Sequence, residues 1–339
     1  MKLSLVLLTQ NVGLRTNLNI LHTCTLGTDD VEVMVCDTSG DIEKQTFLSQ
    51  IHERNCRVFS IGEDSDRETF DLLLDEATSD CVFLCADNGH VNGHSIAPIL
   101  KELDRIGSDP AIVGTTGDFV IDDDEKTTVS AFQGFDEPTA LERFRNFLGA
   151  GQQNIFQYSP IRRSILKEVS SFRLSLPIYL PYHSWLINSL LLMHGRITYI
   201  KRFLYQQYDS NSATSVLGLE ADAQSFQQAG LDSSSARLQW LIAAFEGAQT
   251  FMNKYQRVQL APDQRQALGA YWFEYWFPLF LQTVSRQPED AKFDLQAQQI
   301  AEKWRTRQSV NLPELLTDIA EFYALSSPEI SQRYYNFWR

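Results

Sequence analysis

Residues 82–90 read VFLCADNGH, an apolar run that closes on one carboxylate, Asp87, where a strand must give way to a loop. Two earlier stretches share this form. Residues 3–11 read LSLVLLTQN and end on Thr9, Gln10 and Asn11, and residues 31–37 read VEVMVCD and end on Asp37. Short apolar runs bounded by polar residues read as strands buried on both faces. Helical patterns separate them, carried by Leu14, Leu18, Ile20 and Leu21, then by Phe47, Leu48 and Ile51, then by Phe70, Leu73, Leu74 and Ala77. This alternation predicts a mostly parallel sheet built from βαβ units. Thr9, Asp37 and Asp87 then stand along its carboxyl edge, where open α/β sheets bind ligands.

Working outward, further strands are predicted at residues 56–61, 111–114 and 197–204. A hairpin is predicted over 119–129, and its acidic tip, DDDE at 122–125, reads as a solvated turn rather than a metal site. One helix is expected over 138–147. Another, strongly apolar, follows at 180–194, with Gly195 as its left-handed stop. From Ala213 strand signals end, and helical periodicity continues through Leu238, Leu241, Ile242 and Phe245 to Leu315, Leu316, Ile319 and Phe322. A chain of 339 residues exceeds one ordinary core. The expected division is an α/β domain over 1–212 and a helical domain over 213–339. The aromatic run YWFEYWFPLFL at 271–281 reads as a helix in the helical core. Its alternatives are a homodimer interface or a peripheral membrane contact, because clustered exposed aromatics are costly without a partner.

Composition excludes several classes. Net charge is −14, from 29 Lys and Arg against 43 Asp and Glu, which argues against nucleic-acid binding through phosphate neutralisation. The first apolar run, residues 3–8, is shorter than a signal-peptide core, and no stretch approaches the roughly 20 apolar residues of a membrane span. These features predict a cytoplasmic protein, peripheral at the inner membrane if the aromatic helix meets lipid. The five cysteines are odd in number and form no CxxC pair, so they read as buried thiols.

Short motifs then line up along the chain. The first strand ends in Thr9-Gln10-Asn11; VCDTSGD at 35–41 is similar to an Asp-x-Gly-Ser nucleotide loop; FLCAD at 83–87 falls where an Asp-x-Asp motif ends a fourth strand. YSPIRR at 158–163 is similar to an acceptor-side segment, and HSWL at 183–186, with GRITY at 195–199 behind it, resembles a catalytic-base region. Together, residues 3 to about 208 resemble a family-two-type glycosyltransferase of the GT-A fold, of the kind found in bacterial surface polysaccharide synthesis. The resemblance implies a Rossmann-like, mostly parallel α/β sheet, here followed by a helical domain. It also implies a nucleotide-sugar donor held by Thr9, Gln10, Asn11, Asp37, Ser39, Asp87 and Arg163. The acceptor would be a glycan or a lipid-linked sugar. Asp87 would ligate Mn²⁺ or Mg²⁺, hard cations that bridge to phosphate oxygens and act as Lewis acids on the leaving diphosphate.

Two departures from that pattern matter. Asn88 and Gly89 stand where further acids are usual, leaving His90, with His94 four residues on, as substitute ligands better matched to Mn²⁺ than to Mg²⁺. The alternative for both is an ordinary loop side chain. For an inverting transfer the base position offers His183, whose unperturbed pKa suits general-base work. Its alternative is a cap on the helix carrying Trp185. Asp118, closing GTTGD at 114–118, is the competing carboxylate, or a turn cap. Arg162 and Arg163 are adjacent, so at most one points into a site. The expected activity is sugar transfer with inversion, and the alternative is a degenerate GT-A protein that binds nucleotide or glycan, or scaffolds other enzymes, without turnover. A nucleotidyltransferase would need a Gly-rich basic phosphate loop, which the first strand lacks.

Overall fold

The computed structural model describes residues 2–61, 66–123, 127–130, 133–151, 159–178, 180, 182–209, 219–284, 291–306 and 310–339. The chain forms two compact units. The first comprises Met1–Leu174 with Ile187–Ser212, and the second Ser175–Leu186 with Ala213–Arg339. The segment Ser175–Leu186, expected in the first domain, thus groups with the carboxyl-terminal helices.

In the first unit β1 (Leu3–Thr9), α1 (Leu14–Cys24), β2 (Val31–Asp37), α2 (Ile42–Leu48), β3 (Cys56–Ser60), α3 (Asp66–Glu76) and β4 (Cys81–Ala86) follow in strict alternation. Then come β5 (Gly89–Val91), α4 (Ile96–Ser108), β6 (Ile112–Asp123), β7 (Thr127–Ser130), α5 (Ala140–Ala150), β8 (Ile161–Arg162) and α6 (Arg163–Ser175). Helix α7 (His183–His194), whose first residues through Leu186 belong to the second unit, and β9 (Arg196–Asp209) complete the order before the helical region.

The strands form one mixed sheet in the order β3-β2-β1-β4-β8-β6-β9-β5, with β7 paired to β6 outside that path. β1, β2, β3 and β4 are parallel, and β8 turns the direction by pairing antiparallel with both β4 and β6. Leu3, Leu5, Leu7, Val31, Val33, Val35, Cys81, Phe83 and Cys85 make one core with Ile20 of α1 and Ile99, Leu103 and Ile106 of α4. Continuous apolar runs form these strands because both faces are covered. All five cysteines are free thiols; four are buried and Cys56 is half-buried.

The structure departs from the expected elements in several places. β5 and β8 are too short to leave a periodic signal and exist through pairing with β9 and with β4 and β6. β6 is far longer than the strand expected at 111–114 because it continues into the hairpin with β7. Residues 124–126 of that acidic tip lie outside the described residues, as do residues 152–158, including Tyr158 of the expected acceptor-side segment. Gly195 does not act as a left-handed stop: it is absent from the positive-φ glycines. A Cβ there would stand 2.5 Å from the Ala111 carbonyl oxygen, so the requirement is close approach as β9 begins.

The second unit contains α8 (Leu219–Gln228), α9 (Gln239–Gln249), α10 (Pro262–Val284), α11 (Ala291–Arg305), α12 (Leu312–Ala324) and α13 (Pro328–Trp338). The aromatic run lies in α10, and Trp272, Trp276 and Phe280 are buried in this unit's core. Trp276 stacks on Trp240, and Trp272 Nε1 donates to the Ala243 carbonyl at 2.6 Å. The two indoles therefore serve internal packing, as the core reading of this run expects. No helix among the described residues is long and apolar enough to cross a membrane.

Gly247 of α9 lets this packing close, since a Cβ would meet Trp272 Nε1 at 2.0 Å. Gly247→Ala gains about 1 kcal/mol of helix propensity. The forced movement of the indole should outweigh that gain, for a net loss of about 2 kcal/mol. Thermal unfolding checks it; an unchanged or raised midpoint would show that the indole can move at little cost.

Candidate functional site

The register fixes which side chains meet at the carboxyl edge. Thr9 lies opposite Asp37, and Leu8 opposite Ala86, so Asp87 follows at the level of Thr9. The strand order reverses between β1 and β4, and the crevice beyond such a switch point is the usual ligand site of a doubly wound sheet.

Asp87 is only 4% exposed, and its carboxylate is turned toward the end of β1. Oδ2 accepts from Thr9 Oγ1, from the Gln10 amide and from the Asn11 amide, each at 2.8 Å. Oδ1 accepts from Asn11 Nδ2 at 2.6 Å. Behind it, Asn19 Nδ2 of α1 donates to the Asp87 carbonyl at 3.2 Å. The aspartate therefore folds the turn between β1 and α1 around itself. Tyr205 of β9, fully buried, fixes the neighbouring peptide: its hydroxyl donates to the Ala86 carbonyl at 2.6 Å and accepts the Ala86 N–H at 3.2 Å.

The second loop is built as tightly. Asp37 is 1% exposed, and its Oδ1 accepts from the Ser39 amide at 3.2 Å and the Ser39 hydroxyl at 2.7 Å. Asp41 caps α2 by accepting from the Lys44 amide at 2.7 Å, and Gly40 takes the left-handed conformation that the turn requires. Lys44, which no motif singled out, is buried. Its ammonium lies 3.0 Å from Asp37 Oδ1 and donates to the Asn11 carbonyl at 2.6 Å. One lysine thus ties the nucleotide-type loop to the first turn. A signal for it was present, since a cation in the first turn of a helix opposes the macrodipole and needs a specific partner.

Two buried acceptors at this edge have no hydrogen-bond partner among the described residues: Asp37 Oδ2 and Asn88 Oδ1. Buried polar atoms are ordinarily paired, so an orphan beside a crevice marks a place for a ligand donor.

The donor set does not fit a divalent cation. Among the described residues no group of three His, Cys, Asp or Glu is placed to hold a metal. Asp87 is occupied by the turn. His90 packs edge-on against His22 at 5.0 Å, and burial with that neighbour lowers its basicity.

Arg163 does not converge on Asp87. The Arg163 amide donates to the Asp80 carbonyl, before β4, and its guanidinium donates to the Leu74 and Ala77 carbonyls at the end of α3. That is the opposite end of β4 from Asp87, so the guanidinium closes a helix terminus there rather than meeting a donor diphosphate. His183 belongs to the second unit and is fully buried. Its Nδ1 accepts the Leu180 N–H at 2.7 Å, and Nε2 faces Glu246 Oε2 at 2.6 Å, which also accepts from the Tyr182 hydroxyl. With Nδ1 accepting, Nε2 carries the proton, and the imidazole has no lone pair left to take one from an acceptor. The expectation of His183 as base is therefore not met by its geometry.

Asp118 is half-buried on β6, at an irregularity in the pairing with β9. Tyr199 donates to its Oδ1 at 2.6 Å, and that bond pushes the phenol pKa up to about 12. The next residue, Phe119, pairs with Tyr205, which holds the Ala86 peptide beside Asp87. Asp118 thus lies one residue from a β6 position that pairs with Tyr205.

The fold is shared with solved structures. S. aureus TarS, residues 1–349, superimposes with a TM-score of 0.56 at 12% identity, over 100% of this chain and 89% of that one. The same TarS fragment in complex with UDP-GlcNAc gives 0.54 at 12% identity, with the same coverage. A longer TarS structure gives 0.53 at 12% identity, over 99% of this chain and 55% of that one. No protein-family model matches the chain, and no curated protein matches it. The architecture is α/β of the GT-A kind, with a carboxyl-terminal helical region.

Proposed function

We propose that the chain is a glycosyltransferase that moves a sugar from a nucleotide-diphosphate donor to a glycan or lipid-linked acceptor, with inversion. One observation carries the reading: Asp37 Oδ2 is a buried acceptor with no partner among the described residues, at the switch-point edge, on the loop where a GT-A donor's base or ribose lies. A ligand N–H or hydroxyl completes it. The TarS fold adds support, since that protein is known with UDP-GlcNAc bound. In this reading Thr9, Gln10 and Asn11 line the crevice in the shape that Asp87 and Lys44 impose, and Ser39 orients Asp37.

Transfer forms a bond between the acceptor oxygen and the anomeric carbon while the bond from that carbon to the diphosphate oxygen breaks. The acceptor proton goes to Asp118, the carboxylate whose position Tyr199 sets. General-base catalysis contributes about 10²–10⁴-fold, so Asp118→Asn should lower kcat by about that factor and leave donor affinity unchanged. Steady-state kinetics with titration calorimetry separates the two effects; an unchanged kcat would remove Asp118 from the role.

The second reading, a donor-binding protein without turnover, is favoured by one observation, the engaged Nδ1 lone pair of His183. A thermal-shift panel of nucleotide sugars, followed by donor hydrolysis and transfer assays on the hits, distinguishes the readings. Stabilisation with slow hydrolysis supports the enzyme, stabilisation without chemistry supports the second reading, and no stabilisation by any nucleotide contradicts both.

A further inference from the structure

We infer that the nucleoside diphosphate is held at this edge without a divalent cation, an inference that rests on the donor-site reading above. Its first support is the state of Asp87. An ionised carboxylate offers about four lone-pair sites. Three hydrogen bonds from Thr9, Gln10 and Asn11 end on Asp87 Oδ2 and one from Asn11 Nδ2 on Oδ1, so only one site on Oδ1 is left. A cation held by both oxygens of Asp87 would displace the donors that shape the turn.

The second support comes from the two residues after Asp87. Asn88 presents a neutral amide oxygen where a second carboxylate would complete an acidic pair. At position 89 no ligand side chain can stand, because a Cβ would lie 2.2 Å from the Gln206 carbonyl oxygen and 2.5 Å from the Tyr205 hydroxyl. Close pairing of β5 with β9 takes that space. Mg²⁺ and Mn²⁺ at phosphate sites are ordinarily held by one or two carboxylates with waters; here Asp87 holds the turn, position 88 carries an amide, and among the described residues no group of three His, Cys, Asp or Glu is placed to hold a metal. The first turn of α1, which has neither a capping side chain nor an acidic residue, adds backbone N–H donors of the kind that meet phosphate oxygens.

The test is titration calorimetry of the full chain with UDP, GDP, ADP, CDP and dTDP, in EDTA and in Mn²⁺, for the wild type and for Asn88→Asp. The wild type should bind one of these diphosphates with Kd values within about twofold in the two buffers. Asn88→Asp places a carboxylate beside Asp87 and should gain about tenfold in affinity from Mn²⁺. Wild-type binding that is lost in EDTA, or tightened about tenfold by Mn²⁺, would overturn the inference and leave the donor site standing. Absence of nucleotide binding in both buffers would overturn the donor-site reading along with it. A folded Asn88→Asp chain that gains nothing from Mn²⁺ would overturn the assignment of the missing ligand to position 88. Should that variant fail to fold, the two wild-type titrations still decide the matter.

Discussion

Asp87→Ala should destabilise the first unit by about 4 kcal/mol, lowering its unfolding midpoint by about 10 °C. The size reflects what the carboxylate holds. The Thr9 hydroxyl, the Gln10 and Asn11 amides and the Asn11 side chain all donate to it. Hydrogen bonds to a charged partner are each worth about 1.5–3 kcal/mol, and they are not additive, which keeps the total near the cost of breaking a buried ion pair. Asp87→Asn should recover little of the loss. The carboxamide keeps the volume but presents an NH₂ group to N–H donors. A carboxylate serving only as an exposed metal ligand predicts otherwise: its removal would change stability by about 0.5 kcal/mol or less. Chemical denaturation of the wild type and both variants, without added metal, separates the two roles.

The second large effect is expected at Lys44. Lys44→Met removes an ammonium that is buried beside Asp37 and bound to the Asn11 carbonyl. The Asp37 carboxylate is then left buried with only the Ser39 donors on Oδ1. Breaking a buried pair by removing one partner costs about 3–5 kcal/mol. Replacing both partners with neutral groups costs far less, so Asp37→Asn combined with Lys44→Met should be more stable than Lys44→Met alone. A double-mutant cycle should return a coupling of about 2 kcal/mol. A coupling near zero would show that the ammonium and the carboxylate act independently.

The fold was legible where the chemistry is local. The runs in β1, β2 and β4 are apolar because both faces of a parallel sheet are covered, and that pattern alone brought Thr9, Asp37 and Asp87 to one edge. The aromatic run in α10 was also legible as core, since Trp272 and Trp276 recur at helical spacing. What Asp87 does there was not legible. Its donors lie 76 to 78 positions earlier, and two of them are backbone amides that carry no sequence signature. His183 misled for the same reason, because Glu246, which faces its ring, comes 63 residues later on another helix. Gly89 read as a missing acid, whereas its backbone lies against Gln206 and Tyr205 in a space without room for a side chain. Lys44 was overlooked although its place in the first turn of α2 was a local anomaly.

In the proposed donor site, Asp87 and Lys44 shape the crevice and Asp37 Oδ2 receives the ligand. A crystal structure of the chain with the nucleoside diphosphate selected by titration tests this most directly. A base N–H or ribose hydroxyl should lie about 2.7–3.2 Å from Asp37 Oδ2, with the bonds from Asp87 to Thr9, Gln10 and Asn11 unchanged. A nucleotide bound elsewhere, or an Asp87 carboxylate turned out of the turn onto a metal ion, would contradict it.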